Sequence, residues 1–194
     1  MTLKYTLTFF DYWHLGSGLS SGAKLDSSVV KDDDGLPYAP AKTIKGLARE
    51  MAEELDLDCD LINRCFGFTS DKEDKCYKKE PMLKDENDKQ IYTKCYFANA
   101  VLDEESHKEI VSNRLQDNLY DVIASTQIKD GIAVDDSLRE IEVVLPLTLY
   151  GEILDVPQED YEKLLKALKM IKRMGLNRNR GLGRCEFKEF ICKS

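Results

Sequence analysis

The stretch Pro157-Gln-Glu-Asp-Tyr-Glu-Lys-Leu-Leu-Lys-Ala-Leu-Lys-Met-Ile-Lys-Arg-Met-Gly-Leu-Asn-Arg-Asn-Arg-Gly-Leu-Gly-Arg184-Cys-Glu-Phe187 decides the fold. Tyr161, Leu164, Leu165, Leu168 and Ile171 recur at helical spacing, so a helix with one apolar face opens after Pro157 and is expected to end at Gly175. Cys185, Phe187 and Ile191 then alternate as a last strand. The loop between them, Gly175 to Arg184, holds three glycines and three arginines. Glycine lets a backbone take positive φ and approach a ligand closely, and Arg178, Arg180 and Arg184 present forked donors that match phosphate oxygens. A glycine cap beside arginines is also an ordinary structural end for a helix, and both readings stand at this point.

Working outward, Leu3, Tyr5, Leu7 and Phe9 alternate with polar residues as a half-buried first strand. Gly16 to Gly35 is too polar and broken for regular structure. Ile44, Leu47, Ala48 and Met51 at i, i+3, i+4 and i+7 predict a helix from about Lys42 to Glu54. Leu57 to Phe66 suggests a short second helix, and Thr69 to Gln90 is a charged insertion without period. A second strand is expected over Lys94 to Leu102, with Cys95, Phe97 and Val101 on one face, and a third over Arg139 to Tyr150. Between them, 103–138 reads as an extension carrying a hairpin. The order is βαββαβ, so the expectation is an α+β, ferredoxin-like (RRM-like) single domain over 1–194, with insertions at about 16–40, 55–92 and 103–138.

The formal net charge of −8 argues against a polyanion ligand if taken as a sum. The distribution argues the other way: Lys163 to Arg184 holds eight basic residues and no acid, and Lys42, Lys45 and Arg49 form a second acid-free cluster at the start of a helix, where free N–H groups also favour an anion. The lysines are equally the wet face of an amphipathic helix. No secretory or spanning segment is visible, so the expectation is a cytoplasmic protein with no membrane contact and reduced thiols at its six cysteines.

Two segments carry a resemblance. Gly175-Leu-Asn-Arg-Asn-Arg-Gly-Leu-Gly-Arg184 resembles the glycine-rich, arginine-bearing signature of the RAMP superfamily of CRISPR-associated proteins. Leu36-Pro-Tyr-Ala-Pro-Ala-Lys-Thr-Ile-Lys-Gly-Leu-Ala-Arg49 is similar to its Pro-Tyr-Ile-Pro-Gly-Ser-Ser-Leu-Lys-Gly-x-x-Arg motif, with Ala41-Lys42-Thr43 in place of Gly-Ser-Ser. The resemblance implies RNA binding through Lys42, Thr43, Lys45, Arg49, Gly175, Asn177, Arg178, Asn179, Arg180, Gly181, Gly183 and Arg184.

Leu25 to Tyr38 resembles the loop of type III backbone subunits that carries a catalytic aspartate, with Asp26 at that position. The implied role is to assist attack of a 2′-hydroxyl on the target phosphodiester, with Mg2+ or another divalent metal held in part by Asp26. A solvated loop aspartate is the alternative. Ser125 to Arg139 resembles the family's thumb hairpin, which implies that Gln127, Ile128, Ile132 and Val134 wedge between guide and target; apolar residues here also suit a small hairpin core. His14 is the other acid–base candidate, with a structural or RNA-contacting role weighed above it and Trp13 as a stacking platform. Cys59, Cys65, Cys76 and Cys95 lack C-x-x-C pairing, which disfavours zinc.

The resulting expectation is a type III effector backbone subunit, partnered by guide RNA, target RNA, other effector subunits and head-to-tail copies of itself, that cleaves target RNA as a metal-dependent endonuclease. A non-catalytic structural subunit, a guide-processing endonuclease using His14, and a ferredoxin-like regulatory domain remain as alternatives; the last explains neither the Arg-Asn-Arg loop nor the basic tract.

Overall fold

The computed structural model describes residues 1–16, 27–69, 71–77, 95–130, 132–134 and 137–190. Strand β1 (Leu3–Phe9) buries Leu3, Tyr5, Leu7 and Phe9 and turns Lys4, Thr6 and Thr8 outward, as its two-residue period requires. It is central: β7 (Thr148–Leu154) and β8 (Cys185–Glu189) flank it antiparallel, and β2 (Tyr96–Phe97) pairs with β7, giving the order β2-β7-β1-β8. Helix α1 (Ala41–Glu54) buries Ile44, Ala48 and Ala52 at four-residue spacing and packs against α4 (Tyr161–Met170) and α2 (Cys59–Phe66). The apolar face of α4, with Leu164, Leu165 and Leu168 buried, joins the same core as the inner face of the sheet. Gly151 is required in β7 because a Cβ there would collide with the ring and hydroxyl of Tyr5, which lies across it on β1.

The insertion after β2 begins with α3 (Glu104–Ser112), capped by the Asp103 carboxylate accepting from Ser106 N–H. It continues as a hairpin of β3 (Tyr120–Ser125) and β6 (Arg139–Val144), tipped by the short pair β4 (Ile128–Lys129) and β5 (Ile132–Ala133).

Four expectations are corrected. The third strand is two strands in two sheets: it breaks between Val144 and Thr148, where Pro146 offers no N–H to a ladder. The second strand is regular only over Tyr96–Phe97: Ala100 pairs with Ala39, Val101 pairs again with Tyr150 of β7, and Val101 is exposed whereas Cys95 and Phe97 are buried. Helix α4 stops at Met170, not Gly175, since Ile171 turns extended at ψ 110° and the next residues pair with 183–185. The cysteines are not all reduced: Cys59 and Cys76 form a disulfide that ties α2 to the 71–77 turn. Cys65, Cys95 and Cys185 are buried thiols, and burial pushes Cys185 up to about 12. Ile191, Lys94 and most of Thr69 to Gln90 lie outside the described residues.

Candidate nucleic-acid interface

The segment that follows β1 holds the glycine loop by its backbone. Phe10 N–H donates to Arg184 O (2.9 Å), Gly183 N–H to Tyr12 O (2.8 Å) and Leu176 N–H to His14 O (2.9 Å). This stitching demands glycine at two places. Gly175 (φ +94°) lies against His14 O and Gly183 (φ +69°) against Met174 O, each too closely for any Cβ. Gly181 (φ +95°) faces open space at the tip. Asn177 is the loop's left-handed non-glycine residue, at φ +55°. The fixed frame leaves Arg178, Asn179 and Arg180 exposed. Arg178, Arg180 and the neighbouring Lys172 and Arg173 form no ion pair with a described residue, whereas Arg184 reaches Asp11 (Nε to Oδ2, 3.4 Å).

Helix α1 runs beside this loop. Arg178, Asn179, Lys172 and Arg173 line a cavity of about 280 Å³ with Leu47, Glu50 and Met51 of α1. Lys42, Gly46 and Glu50 follow at i, i+4 and i+8 on the outer row of the helix and are all exposed, so Lys42 extends the same side of the molecule. Thr43 is half-buried in the first turn, where Asn99 Oδ1 already accepts from Ala41 N–H (2.8 Å). Lys45 is half-buried, 5.9 Å from the Phe97 ring centroid, and desolvation pulls its pKa below the ordinary lysine value. Arg49 faces inward to other partners: its guanidinium binds Glu53 (2.7 Å), Asp74 (3.0 Å) and Gly67 O (3.1 Å). The second basic cluster of the sequence is therefore one exposed cation, one desolvated lysine and one engaged arginine. Lys172, Arg173 and the exposed Phe10 are the neighbours that the sequence reading did not single out as site residues.

His14 is 2% exposed, with Nδ1 2.6 Å from Glu142 O and Nε2 3.0 Å from Ser27 Oγ. Both ring nitrogens are occupied, so the imidazole fastens the post-β1 segment and Ser27 to β6. Trp13 is corrected from stacking platform to core: it is buried, stacks on Phe9 at 4.4 Å and donates from Nε1 to Leu145 O. Glu142, also on β6, accepts from Val29 N–H (3.0 Å) and pairs with Lys31 (2.8 Å), whose ammonium covers the Tyr120 ring. The 27–31 segment is thus moored to the base of the hairpin. Asp26 lies outside the described residues. Among the described residues no group of three or more His, Cys, Asp or Glu side chains could hold a metal ion.

Gln127 and Val134 join by a backbone hydrogen bond at the hairpin tip, where Ser137 Oγ donates to Val134 O and accepts from Gln127 N–H. Ile128 and Ile132 are 68% and 73% exposed there, so they fill no hairpin core.

A profile of the RAMP superfamily matches residues 6–186. The chain belongs to that superfamily. The match takes in both ends of this RAMP chain's candidate interface, from the Lys42 turn to the glycine loop. No curated protein matches it. Among solved structures, it resembles a chain in the cryo-EM structure of the Type III-B Cmr-beta bound to cognate target RNA, with TM-score 0.70, 10% identity and 97% of each chain covered. A chain of the apo-state Type III-B Cmr-beta structure matches with TM-score 0.67 and 11% identity over 99% of this RAMP chain and 98% of the other. At such identities the likeness is one of fold. No helix among the described residues is long and apolar enough to cross a membrane.

Proposed function

We propose that this chain is a backbone subunit of a type III CRISPR effector complex: a single ferredoxin-like (RRM-like) domain that lies along a guide RNA through its glycine loop and α1, stacks head to tail with its own copies, and acts in the cytoplasm. The observation that carries this reading is the exposed set Lys172, Arg173, Arg178 and Arg180, without an acidic partner among the described residues, on and beside a loop held by the backbone of the segment after β1. Cations already neutralised by neighbours release few counterions on binding; these four remain available to phosphates. Membership of the RAMP superfamily and a fold shared with chains of an RNA-bound Cmr-beta assembly support the same reading.

We further propose that the chain cleaves target RNA through Asp26, with the hairpin tip as the thumb that separates guide from target. In support, Ser27, the sequence neighbour of Asp26, is anchored to the hairpin base through His14 and through its carbonyl to Glu142 N–H. Among the described residues no cluster of His, Cys, Asp or Glu side chains would hold a cation, and Asp26 itself lies outside them. The guide-processing reading through His14 finds no support, because that ring has no open nitrogen. The test is reconstitution with guide RNA, complementary RNA and Mg2+. Asp26→Ala is expected to keep guide binding and lose cleavage. Equal cleavage by wild type and Asp26→Ala overturns the catalytic assignment, and absence of RNA binding at low salt overturns the whole reading.

A further inference from the structure

The RNA-binding reading accounts for Arg184 and Lys172 but leaves Phe10 unexplained. The phenyl ring, at the end of β1, is 44% exposed and leaves apolar area in water that a stacked ligand would bury. Phe10 occupies the outward position of the β1 alternation, opposite in phase to buried Phe9. Its backbone N–H is bonded to Arg184 O, and the Arg184 guanidinium lies 5.3 Å from its ring centroid. Phe10 and Arg184 together with Lys172, Cys185 and Glu186 line an open cavity of about 380 Å³, in the lower part of the range of small-ligand sites.

The chemistry of the lining selects the occupant. Glu186 is neutralised by Lys188 (2.8 Å) and Asp11 by Arg184, while Lys172 has no acidic partner among the described residues, so the cavity keeps an excess of positive charge beside one flat aromatic face. A ring for stacking, flanked by cations for phosphate, is the recognition set for an unpaired nucleotide. We propose that Phe10 is a stacking platform for one unpaired base of the bound RNA, with Lys172 and Arg184 on the adjoining phosphates. This extends the site across Lys172, which lines both this cavity and the one shared by Arg178 and α1. It also gives the chain a contact whose strength is independent of salt.

The inference rests on the RNA-binding reading, and its test separates the two. Affinity for a fluorescein-labelled, unstructured single-stranded RNA is measured across a salt series for wild type, Phe10→Leu, Phe10→Tyr and Arg184→Ala. Leucine keeps the apolar bulk and so the fold, but cannot stack. Phe10→Leu is expected to weaken binding by roughly 5- to 150-fold at every salt concentration, with the slope of log K against log salt unchanged. Phe10→Tyr should bind as wild type does, and Arg184→Ala, which removes an arginine shared with Asp11, should flatten the slope by less than the ~0.7 of a full phosphate contact. Wild-type affinity in Phe10→Leu overturns the platform while leaving the RNA-binding reading intact. A changed slope in Phe10→Leu overturns it as well, since the ring would then act by placing Arg184. Failure of wild type to bind at low salt overturns the underlying reading instead.

Discussion

Replacing Arg178 and Arg180 together by alanine separates phosphate contact from structural support, with Arg49→Ala as the internal control. The two loop arginines are exposed and have no described acidic partner, so each is free to release a counterion from RNA. On a single strand each phosphate contact contributes about 0.7 to the slope of log K against log salt, so the pair contributes about 1.4. Between ~50 and ~200 mM salt that is about 7-fold of affinity change that the double variant no longer shows. Arg49, though adjacent to lysines in sequence, is held by Glu53, Asp74 and Gly67 O. Its removal leaves those acceptors short of a charged donor, at a cost of about 2 kcal/mol, or about 4–8 °C in Tm for a chain of this length. The assays are fluorescence anisotropy over a salt series and thermal unfolding by circular dichroism. An unchanged slope in the loop variant refutes the phosphate cradle. A flattened slope with unchanged Tm in Arg49→Ala refutes the inward assignment of that side chain.

Gly183→Ala and Gly181→Ala both force positive φ on an L residue, at about 1–2 kcal/mol, but Gly183 also meets Met174 O; urea denaturation should therefore show the larger loss for Gly183→Ala, and equal losses would mean that the loop is not pressed against its stem. Asp160 is buried and accepts two 2.8 Å hydrogen bonds from Arg64, so Asp160→Asn should lower stability by about 3–5 kcal/mol and Arg64→Leu/Asp160→Leu by less, in a double-mutant cycle with no coupling as the refuting outcome. Reduction of Cys59–Cys76, a link spanning 17 residues, should cost about 3 kcal/mol; non-reducing peptide mapping that recovers Cys59 and Cys76 as separate thiols would contradict the pairing.

What was legible in the sequence was whatever has a local period. The alternation of Leu3 to Phe9 and the spacing of Ile44, Ala48 and Met51 locate β1 and α1 to within a residue. Where partners are distant, periodicity misleads. Lys172 and Arg173 continue the helical run, yet Cys185 N–H takes the Lys172 carbonyl and draws them into a pairing with the loop's far side. Arg49 reads as a free cation because Gly67 and Asp74, two of its partners, come 18 and 25 residues later. Trp13 and His14 lie between Tyr12 and Leu15 with no local period to assign them a face, and the partners that bury them, Val144, Leu145 and Glu142, come more than 120 positions later. Phe10 did leave a signal: an aromatic at the outward phase of an otherwise polar row.

The acidic total of −8 and the proposed basic interface are reconciled by range. Several acids are already matched inside the fold, as in Asp160 with Arg64, Glu142 with Lys31, Asp74 with Arg49 and Asp58 with Lys163. Acids without a described partner, such as Asp33 and Glu105, belong to other segments, since Lys163 to Arg184 contains none; Glu50, on α1, is the acid that shares the loop's cavity. At ~0.1 M salt the screening length is about 10 Å, so an RNA phosphate at the loop feels chiefly the loop. At ~0.01 M it grows to about 30 Å, beyond the ~16 Å radius of gyration expected for a folded chain of this length, and the whole negative charge then opposes RNA. The log K against log salt plot should therefore bend, gaining less affinity below ~0.05 M than its slope near ~0.15 M extrapolates. Charge-neutralising substitution of Asp33 by asparagine and Glu105 by glutamine should lessen the bend, at the low-salt end alone. A plot that is linear throughout in wild type would show that the remote acids are not felt at the interface at any ionic strength.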